Sequence, residues 1–397
     1  PAATQVDHFL YFGGSTDQPD ERQRLRPCLV NMTRGLFWRN FDFLLLGAVV
    51  LASSFGTVMI RSAVAGNEVL QPLIPRQIYF ALLGVVLIFV VASIDYRYWL
   101  ALYRPIYFGI LIFLVTLTGF GQSAFGAQRW FQVGVLSLQP TEFAKIVAII
   151  VLARYFEHAQ VQRRDWKWAL GGFLWAFGII GLILLQPNLS NVVVLTVIFF
   201  AMLWIQGLEI RQVVILVLAV IGLATLAFPF LEQYQQDRVL TFIFPDPNAT
   251  YGATYNVQQA LIAIGSGGFF GQGYGHGTQT QLRFLKVRHT DFIFSAVSEE
   301  FGMIGGVIII LTLAFIVWRC IRAAQKSRDV SGSMIAYGVA ILIFFQGAVN
   351  IGVNLNVVPV SGLPLPFISY GGSGLTALML GIGLVESVVM RHKQMDF

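Results

Sequence analysis

The sequence predicts an all-α, polytopic membrane fold with about ten transmembrane helices, and three observations predict it. The chain of 397 residues is 56% hydrophobic and only 12% charged, with a mean hydropathy of +0.70, a composition far from that of soluble globular domains. Apolar runs of about the 20 residues needed to cross a bilayer recur along nearly the whole length. Lys and Arg are dense in every second loop between those runs, as positive-inside topology requires. No polar stretch is long enough to fold as a domain of its own, so residues 40–397 read as one membrane domain behind a polar tail, 1–39.

The tail does not open with the basic, apolar and small-residue order of a cleavable signal peptide, and it is expected to be mobile in the cytoplasm. Runs at 42–60, 77–94 and 101–120 supply the first three helices. The loop that follows contains "GAQRWFQVG", in which Arg129 and Trp130 read either as an interface anchor or as functional contacts. The fourth helix, 140–157, is the least apolar. Its Glu142 and Lys145 stand on one face near its start, where they form either a self-satisfied ion pair or a functional one. Runs at 168–186, 189–206 and 212–230 bring the chain to seven helices, and 292–318, 334–354 and 368–389 complete it. On this topology roughly eighteen Lys and Arg lie on the side shared by the two termini and roughly seven on the other, so both termini are expected in the cytoplasm. The net charge of +6 then needs no nucleic acid to explain it. Cys28 and Cys320 fall on the same side and are expected to be free thiols.

Between the seventh and eighth helices lies an outer loop, 231–291. Loops longer than about 15 residues are uncommon and usually functional. Within it, "YNVQQALIAIGSGGFFG" is apolar on one face and too short to span, which predicts an interfacial or re-entrant helix ending at glycines. Its "GSGGFFG" has the look of a phosphate-binding loop, but it follows no predicted parallel strand and lies where no ATP is supplied. Tight turning and close backbone packing is the preferred reading.

"RHTDFIFSAVSEEFG", residues 288–302, opens the eighth helix with three carboxylates. Thr290 or Asp291 is expected to cap the helix. Glu299 lies roughly 12 Å deeper and about 80° round from Asp291, with Glu300 nearly opposite. At least one of the pair must meet a polar partner between helices, such as an Arg or Lys. Ahead of Asp291, the residues Arg283, Lys286, Arg288 and His289 make the local surface attractive to anions. A carboxylate beside cations at the outer edge of a bundle suits a base working next to a phosphate. Charge logic also admits a divalent cation, Mg²⁺ or Mn²⁺, near Asp291, although no ligand spacing of known type accompanies it. In the ninth helix, Gln346, Asn350 and Asn354 form a polar stripe suited to interhelical hydrogen bonds. "VPVSGLPLPFISYGGSG", uncharged and with three prolines, makes a stiff entry into the last helix.

In order along the chain, "GAQRWFQVG", "LQPTEFAK", "QPNLS", "YQQDRVLTFIFPDP", "IAIGSGGFFGQGYGHGTQTQLRFL", "HTDFIFSAVSEEFG" and "NIGVNLNVVPVSGLPLPFISYGGSG" resemble the SEDS family of shape, elongation, division and sporulation proteins. The likeness covers about residues 40 to 390, and "GTQTQLRFL" resembles the RodA-like branch more than the FtsW-like one. The resemblance implies a peptidoglycan glycosyltransferase that polymerises lipid II at the outer face of the cytoplasmic membrane for elongation and shape. It implies Asp291 as the general base in an inverting transfer, with no nucleotide cofactor. Residues expected to meet substrate are Arg129, Trp130, Glu142, Lys145, Asn188, Arg238, Lys286, Arg288, His289, Thr290, Ser369 and Tyr370. Glu299, Glu300, Gln346 and Asn350 are expected to be structural. A class B penicillin-binding protein, a transpeptidase, is the implied partner.

Two departures from the family pattern stand out. Asn188 replaces an acid in "QPNLS", and Lys286, Val287 and Arg288 replace a proline and an acid before His289. The rival readings are a flippase for lipid-linked precursors, an FtsW-like division polymerase, and a scaffold recruiting cell-wall enzymes. No inverted repeat of the transporter kind is visible in the sequence.

Overall fold

The computed structural model describes residues 38–120, 122–124, 127–133, 136–159, 166–246 and 251–392, so nearly all of the expected tail, 1–39, lies outside the described residues. The chain up to Phe41 forms one unit and Asp42 onward a second. Of the first, the described residues make a single turn in which the Phe41 N–H donates to the Trp38 carbonyl at 3.1 Å.

A long helix stands at each of the ten expected runs. In chain order the helices are α1 (Phe43–Ala63), α2 (Leu73–Ser93), the short α3 (Tyr96–Ala101), α4 (Tyr103–Phe120), α5 (Pro140–Ala159), α6 (Trp166–Leu185), α7 (Leu189–Ile205) and α8 (Ile210–Ala227). The 231–291 loop contributes α9 (Gln233–Ile243), α10 (Gly252–Gly267) and α11 (Thr278–Gln281), and α12 (Ile293–Lys326), α13 (Val330–Asn354) and α14 (Gly372–Met390) follow. Among the described residues, seven helical stretches, in α1, α2, α6, α8, α12, α13 and α14, are long and apolar enough to cross a bilayer. The protein is a multi-pass membrane protein.

Burial explains the helix that composition ranks lowest. Every residue of α5 from Ala144 to Ala153 is buried, and the helix packs against α4, α6, α13 and α14. Polar groups can be carried there because they face other helices rather than lipid. At the other extreme, α8 buries none of its apolar span against the rest of the chain, leaving a greasy cylinder that only lipid or another protein can cover. One addition was not anticipated for an all-α chain. A small antiparallel ribbon, β1 (Gln122–Ala124), β2 (Ala127–Val133) and β3 (Leu136–Leu138), links α4 to α5.

The "GSGGFFG" segment does what close backbone packing requires. α10 buries Val257, Ala260, Ala263 and Gly267, one helical face, against α12. α12 is itself broken at Gly302, where φ is 67° and ψ is −162°. The break frees backbone groups inside an apolar bundle, where each unpaired one is costly. The glycine segment pairs them: Gln272 N–H donates to Glu299 O at 3.0 Å, Gly273 N–H to Glu300 O at 2.9 Å, and Met303 N–H to Gly268 O at 2.9 Å. Such contact demands glycine, since a Cβ on Gly271 would strike the Glu300 carbonyl and one on Gly302 would strike Gly271 N, both at positive φ. No nucleotide is needed to explain the motif.

At the opposite end of α12, Arg319 Nε donates to Asp42 Oδ2 at 2.7 Å. The Asp42 N–H donates to Glu386 Oε2 at 3.0 Å, which ties the start of α1 to α12 and α14.

Gly271→Ala or Gly302→Ala is therefore expected to cost about 1–3 kcal/mol from backbone strain alone, seen as a lower melting temperature of the detergent-solubilised protein. Gly265→Ala, where a Cβ meets open space, serves as the control and should leave the melting temperature unchanged or slightly raised.

Candidate functional site

The site begins with three consecutive carbonyls. The chain approaches α12 through a turn in which Thr290 and Phe292 N–H both donate to Val287 O, at 3.2 and 3.3 Å. The carbonyls that point away are each taken by a different group. Tyr370 N–H donates to His289 O at 2.9 Å, and Ser369 Oγ donates to Thr290 O at 2.6 Å. The Asp291 carbonyl accepts from two side-chain amides, Asn350 Nδ2 at 3.0 Å and Asn354 Nδ2 at 2.9 Å. Asn350 Nδ2 also reaches Leu363 O at 2.8 Å, so one amide joins the acid's backbone to the proline-rich segment. The expected cap is corrected here. The residue before α12 is Phe292, with no side-chain cap, and the free Ser295 N–H is taken instead by Asn354 Oδ1 at 3.0 Å. Because a neighbouring helix caps α12, the Asp291 carboxyl is not consumed in doing so.

The Asp291 side chain stands near Arg238, whose charge acts on it. A Cβ built on Gly362, which has φ of +71°, would lie 3.8 Å from Asp291 Oδ2 and 3.8 Å from Arg238 Nη1, so this glycine is within contact range of both the acid and the guanidinium. Burial pushes the Asp291 carboxyl up to about 6, while the Arg238 charge and a hydrogen bond from Thr290 pull it down. A group at that value is ionised at neutral pH yet still basic enough to accept a proton.

Arg238 is carried by α9, a helix the sequence reading passed over. Its signal was a capping box: Glu232 precedes the helix, and its N–H donates to Gln235 Oε1 at 3.2 Å. Arg238 Nη1 donates to Ser361 O at 3.3 Å, and the guanidinium lies over the Tyr234 ring at 5.8 Å. Ser190 Oγ also donates to Ser361 O, and Gln235 Nε2 donates to Pro187 O at 3.2 Å, so α9 is held against "QPNLS". Between them opens a cavity of about 320 Å³, lined mostly by apolar groups such as Leu189, Val193, Phe345, Val349 and Val358, with Arg238 and Asn188 in its wall. Asn188, the neutral substitute for an acid, is buried, and its Nδ2 has no hydrogen-bond partner among the described residues.

The other expected residues divide. His289, Thr290, Ser369 and Tyr370 converge with Asp291 through the bonds above. The His289 and Tyr370 rings lie 6.1 Å apart, and burial, with the Arg288 charge, lowers the imidazole's pKa toward the neutral form. Arg288 is turned elsewhere: it is buried, and its Nε donates to Ala63 O and its Nη1 to Leu285 O, the first capping the end of α1. Arg283 donates to Gly66 O, and Lys286 sits over the Tyr255 ring at 5.8 Å. The basic approach to Asp291 is thus largely scaffolding, and Arg238 is the cation whose charge acts on it. Glu142 and Lys145 satisfy each other, Nζ lying 2.8 Å from both carboxylate oxygens, with Glu142 Oε2 3.4 Å from a Cβ built on Gly374. The backbone of Arg129 and Trp130 runs in β2, and their side chains lie outside the described part.

Glu299 finds the polar partners expected for at least one of the pair, as amides and a hydroxyl rather than an Arg or Lys. It accepts from Gln279 N–H at 2.6 Å, Thr280 N–H at 3.0 Å and Thr280 Oγ1 at 2.7 Å, capping α11. Glu300 accepts from Ser62 Oγ. Gln346 is buried, its Nε2 without a partner among the described residues. Among the described residues no group of three or more His, Cys, Asp or Glu converges, and Asp291 has a guanidinium beside it rather than a second carboxylate. The residues present therefore do not fit a protein-held divalent cation. The fold also brings the start of α2 to the segment after Tyr370, where Gly371 N–H donates to Gln77 Oε1 at 3.5 Å.

Residues 35–394 match the family model described as cell cycle protein, FtsW, RodA and SpoVE. The chain is 33% identical over 369 residues to the peptidoglycan glycosyltransferase MrdB of Escherichia coli K12, covering 92% of this chain and 98% of that one. It is 34% identical over 362 residues to the stage V sporulation protein E of Bacillus subtilis, covering 87% and 96%. Among solved structures, it is similar to a chain of a peptidoglycan synthase complex that coordinates polymerization and crosslinking, with a TM-score of 0.75 and 31% identity over 89% of this chain and 99% of that one. It is also similar to the rod shape determining protein RodA of Thermus thermophilus, with a TM-score of 0.67 and 30% identity over 89% and 98%. With the motifs, the helical bundle and near full-length matches in agreement, the chain belongs to the FtsW, RodA and SpoVE family of cell cycle proteins, the SEDS family.

Proposed function

We propose that the chain is a RodA-like peptidoglycan glycosyltransferase, polymerising lipid II at the outer face of the cytoplasmic membrane with Asp291 as general base. The observation that carries this reading is a buried carboxyl at about 6, at the start of a spanning helix and near Arg238, which lines an apolar cavity. Relatives named peptidoglycan glycosyltransferase support the reaction class. Asp291 removes the proton from the acceptor's sugar hydroxyl as that oxygen bonds to the donor's anomeric carbon, and the carbon's bond to pyrophosphate breaks with inversion. The leaving group is an anion, and Arg238 is placed to neutralise it without reorganisation. The donor is already activated and membrane-anchored, so no nucleotide enters. The likeness to a chain of a peptidoglycan synthase complex supports a penicillin-binding transpeptidase of class B as the partner that crosslinks the product.

Purified protein incubated with lipid II in detergent, where no compartment exists, is expected to form glycan polymer. Asp291→Asn, still monodisperse, is expected to lose about 10²–10⁴-fold of that rate. Wild-type protein that makes no polymer yet moves the precursor across liposomes would assign the chain to transport instead.

Since the base must be ionised, the rate should fall as pH drops through about 6 and level off above it. The Arg238 charge favours the ionised form, so Arg238→Gln should move this acid limb to higher pH. A limb that stays at the ordinary carboxylate position of about 4, or that ignores Arg238→Gln, would remove Asp291 from the role.

A further inference from the structure

Asp291 stands four residues before Ser295, the spacing at which an α-helix pairs a carbonyl with an N–H. One residue further on that bond is made, Ala296 N–H donating to Phe292 O at 3.2 Å. Between Asp291 and Ser295 a side chain from α13 takes its place. Asn354 Oδ1 accepts from Ser295 N–H at 3.0 Å, and Asn354 Nδ2 donates to Asp291 O at 2.9 Å. One carboxamide is thus inserted into the ladder, between the two halves of what would be the next helical bond. α12 accordingly begins at Ile293, and Phe292, at φ −111° and ψ 25°, already departs from helical geometry.

The insertion needs an amide. Asn354 is fully buried. Its second amide hydrogen goes to Asn350 O at 2.8 Å, and its oxygen also accepts from Ser295 Oγ at 2.6 Å, so both donors and both lone pairs are used. A carboxylate could take the Ser295 N–H but has nothing to give the Asp291 carbonyl, and an aliphatic side chain could do neither. Without the amide the Ser295 N–H would be buried and unpaired, and the group that a helix offers it is the Asp291 carbonyl. That pairing would wind α12 back by one residue and turn Asp291 with it, away from Arg238, with which its carboxyl now shares the contact range of Gly362. Misplacing a reacting group by about 1 Å can cost on the order of 10²-fold in rate. We infer that Asn354 is a positioning residue for the proton transfer: its amide keeps the first turn of α12 open and holds Asp291 outside the helix, with Asn350 Nδ2 as second donor to the same carbonyl at 3.0 Å. This rests on the transferase reading above.

The test follows lipid II polymerisation by the full chain in detergent. Asn354→Leu, close to Asn in shape, is expected to lower the plateau kcat by about tenfold or more while KM stays unchanged. Because the acid has left Arg238, the acid limb of the rate should move to higher pH, and adding Arg238→Gln should move it no further. Ser295→Ala, which removes only the bond from Oγ to Asn354, should keep the wild-type kcat and limb. Wild-type kcat in monodisperse Asn354→Leu, a loss confined to KM, or a limb that Arg238→Gln still shifts as far as in wild type would overturn the inference, as would Ser295→Ala costing as much as Asn354→Leu. Should Asn354→Leu not stay monodisperse, Asn350→Leu decides, since it removes a donor from the same carbonyl and leaves α12 capped: a smaller loss of kcat is expected, and an unchanged kcat overturns the inference. A wild type that makes no polymer would sink the transferase reading alone. The inserted amide is then judged by a structure of Asn354→Leu, in which Asp291 O is expected to accept from Ser295 N–H, and a carbonyl still apart from that N–H would overturn it.

Discussion

Backbone groups that leave a helix inside an apolar bundle must find partners, and the rest of this structure follows from how they do so. The carbonyls of His289, Thr290 and Asp291 cannot be paired within α12, so they are paired by Tyr370, Ser369, Asn350 and Asn354. Each of those donors belongs to another segment. Satisfying the turn therefore fixes α13 and the proline-rich approach to α14 around it, and it places the acid. The same constraint operates at Gly302, where the glycine segment completes a broken helix, and at the ends of α1 and α11, where Arg288 and Glu299 reach across to terminal carbonyls and amides.

Charge is handled by a related economy. A membrane interior tolerates ionised groups that are paired, and Glu142 with Lys145 and Asp42 with Arg319 conform. Asp291 differs in kind. Its carbonyl is doubly held, while its carboxyl closes no ion pair among the described residues and has the Arg238 guanidinium near it, with Gly362 in contact range of both. A rigid backbone with a chemically available side chain is the arrangement a proton acceptor needs, because positioning costs nothing at the moment of reaction.

The order of spans, the unusual place of Asp291 and the packing role of the glycine run were all legible from residue types. Hydrophobic length marks a span directly, and an acid at the head of an apolar run is costly enough to announce itself. The polar stripe of α13 was legible as hydrogen-bonding glue, but not its object, since the same spacing would serve any neighbour. Arg288 and Arg238 show the limit more sharply. In sequence, Arg288 lies three residues from Asp291 and Arg238 more than fifty away, yet Arg288 caps α1 and Arg238 faces the acid.

Composition and apolar periodicity were sufficient for a helical membrane protein with an acid at the head of α12, because transfer into lipid is a property of each residue and sums along the chain. Which cation lies near that acid, which amides hold its backbone, and how Gln77 comes to meet Gly371 depend on contacts between segments far apart in the chain. Those are set by side-chain reach and the pairing of buried polar groups, and they exist only once the helices have packed.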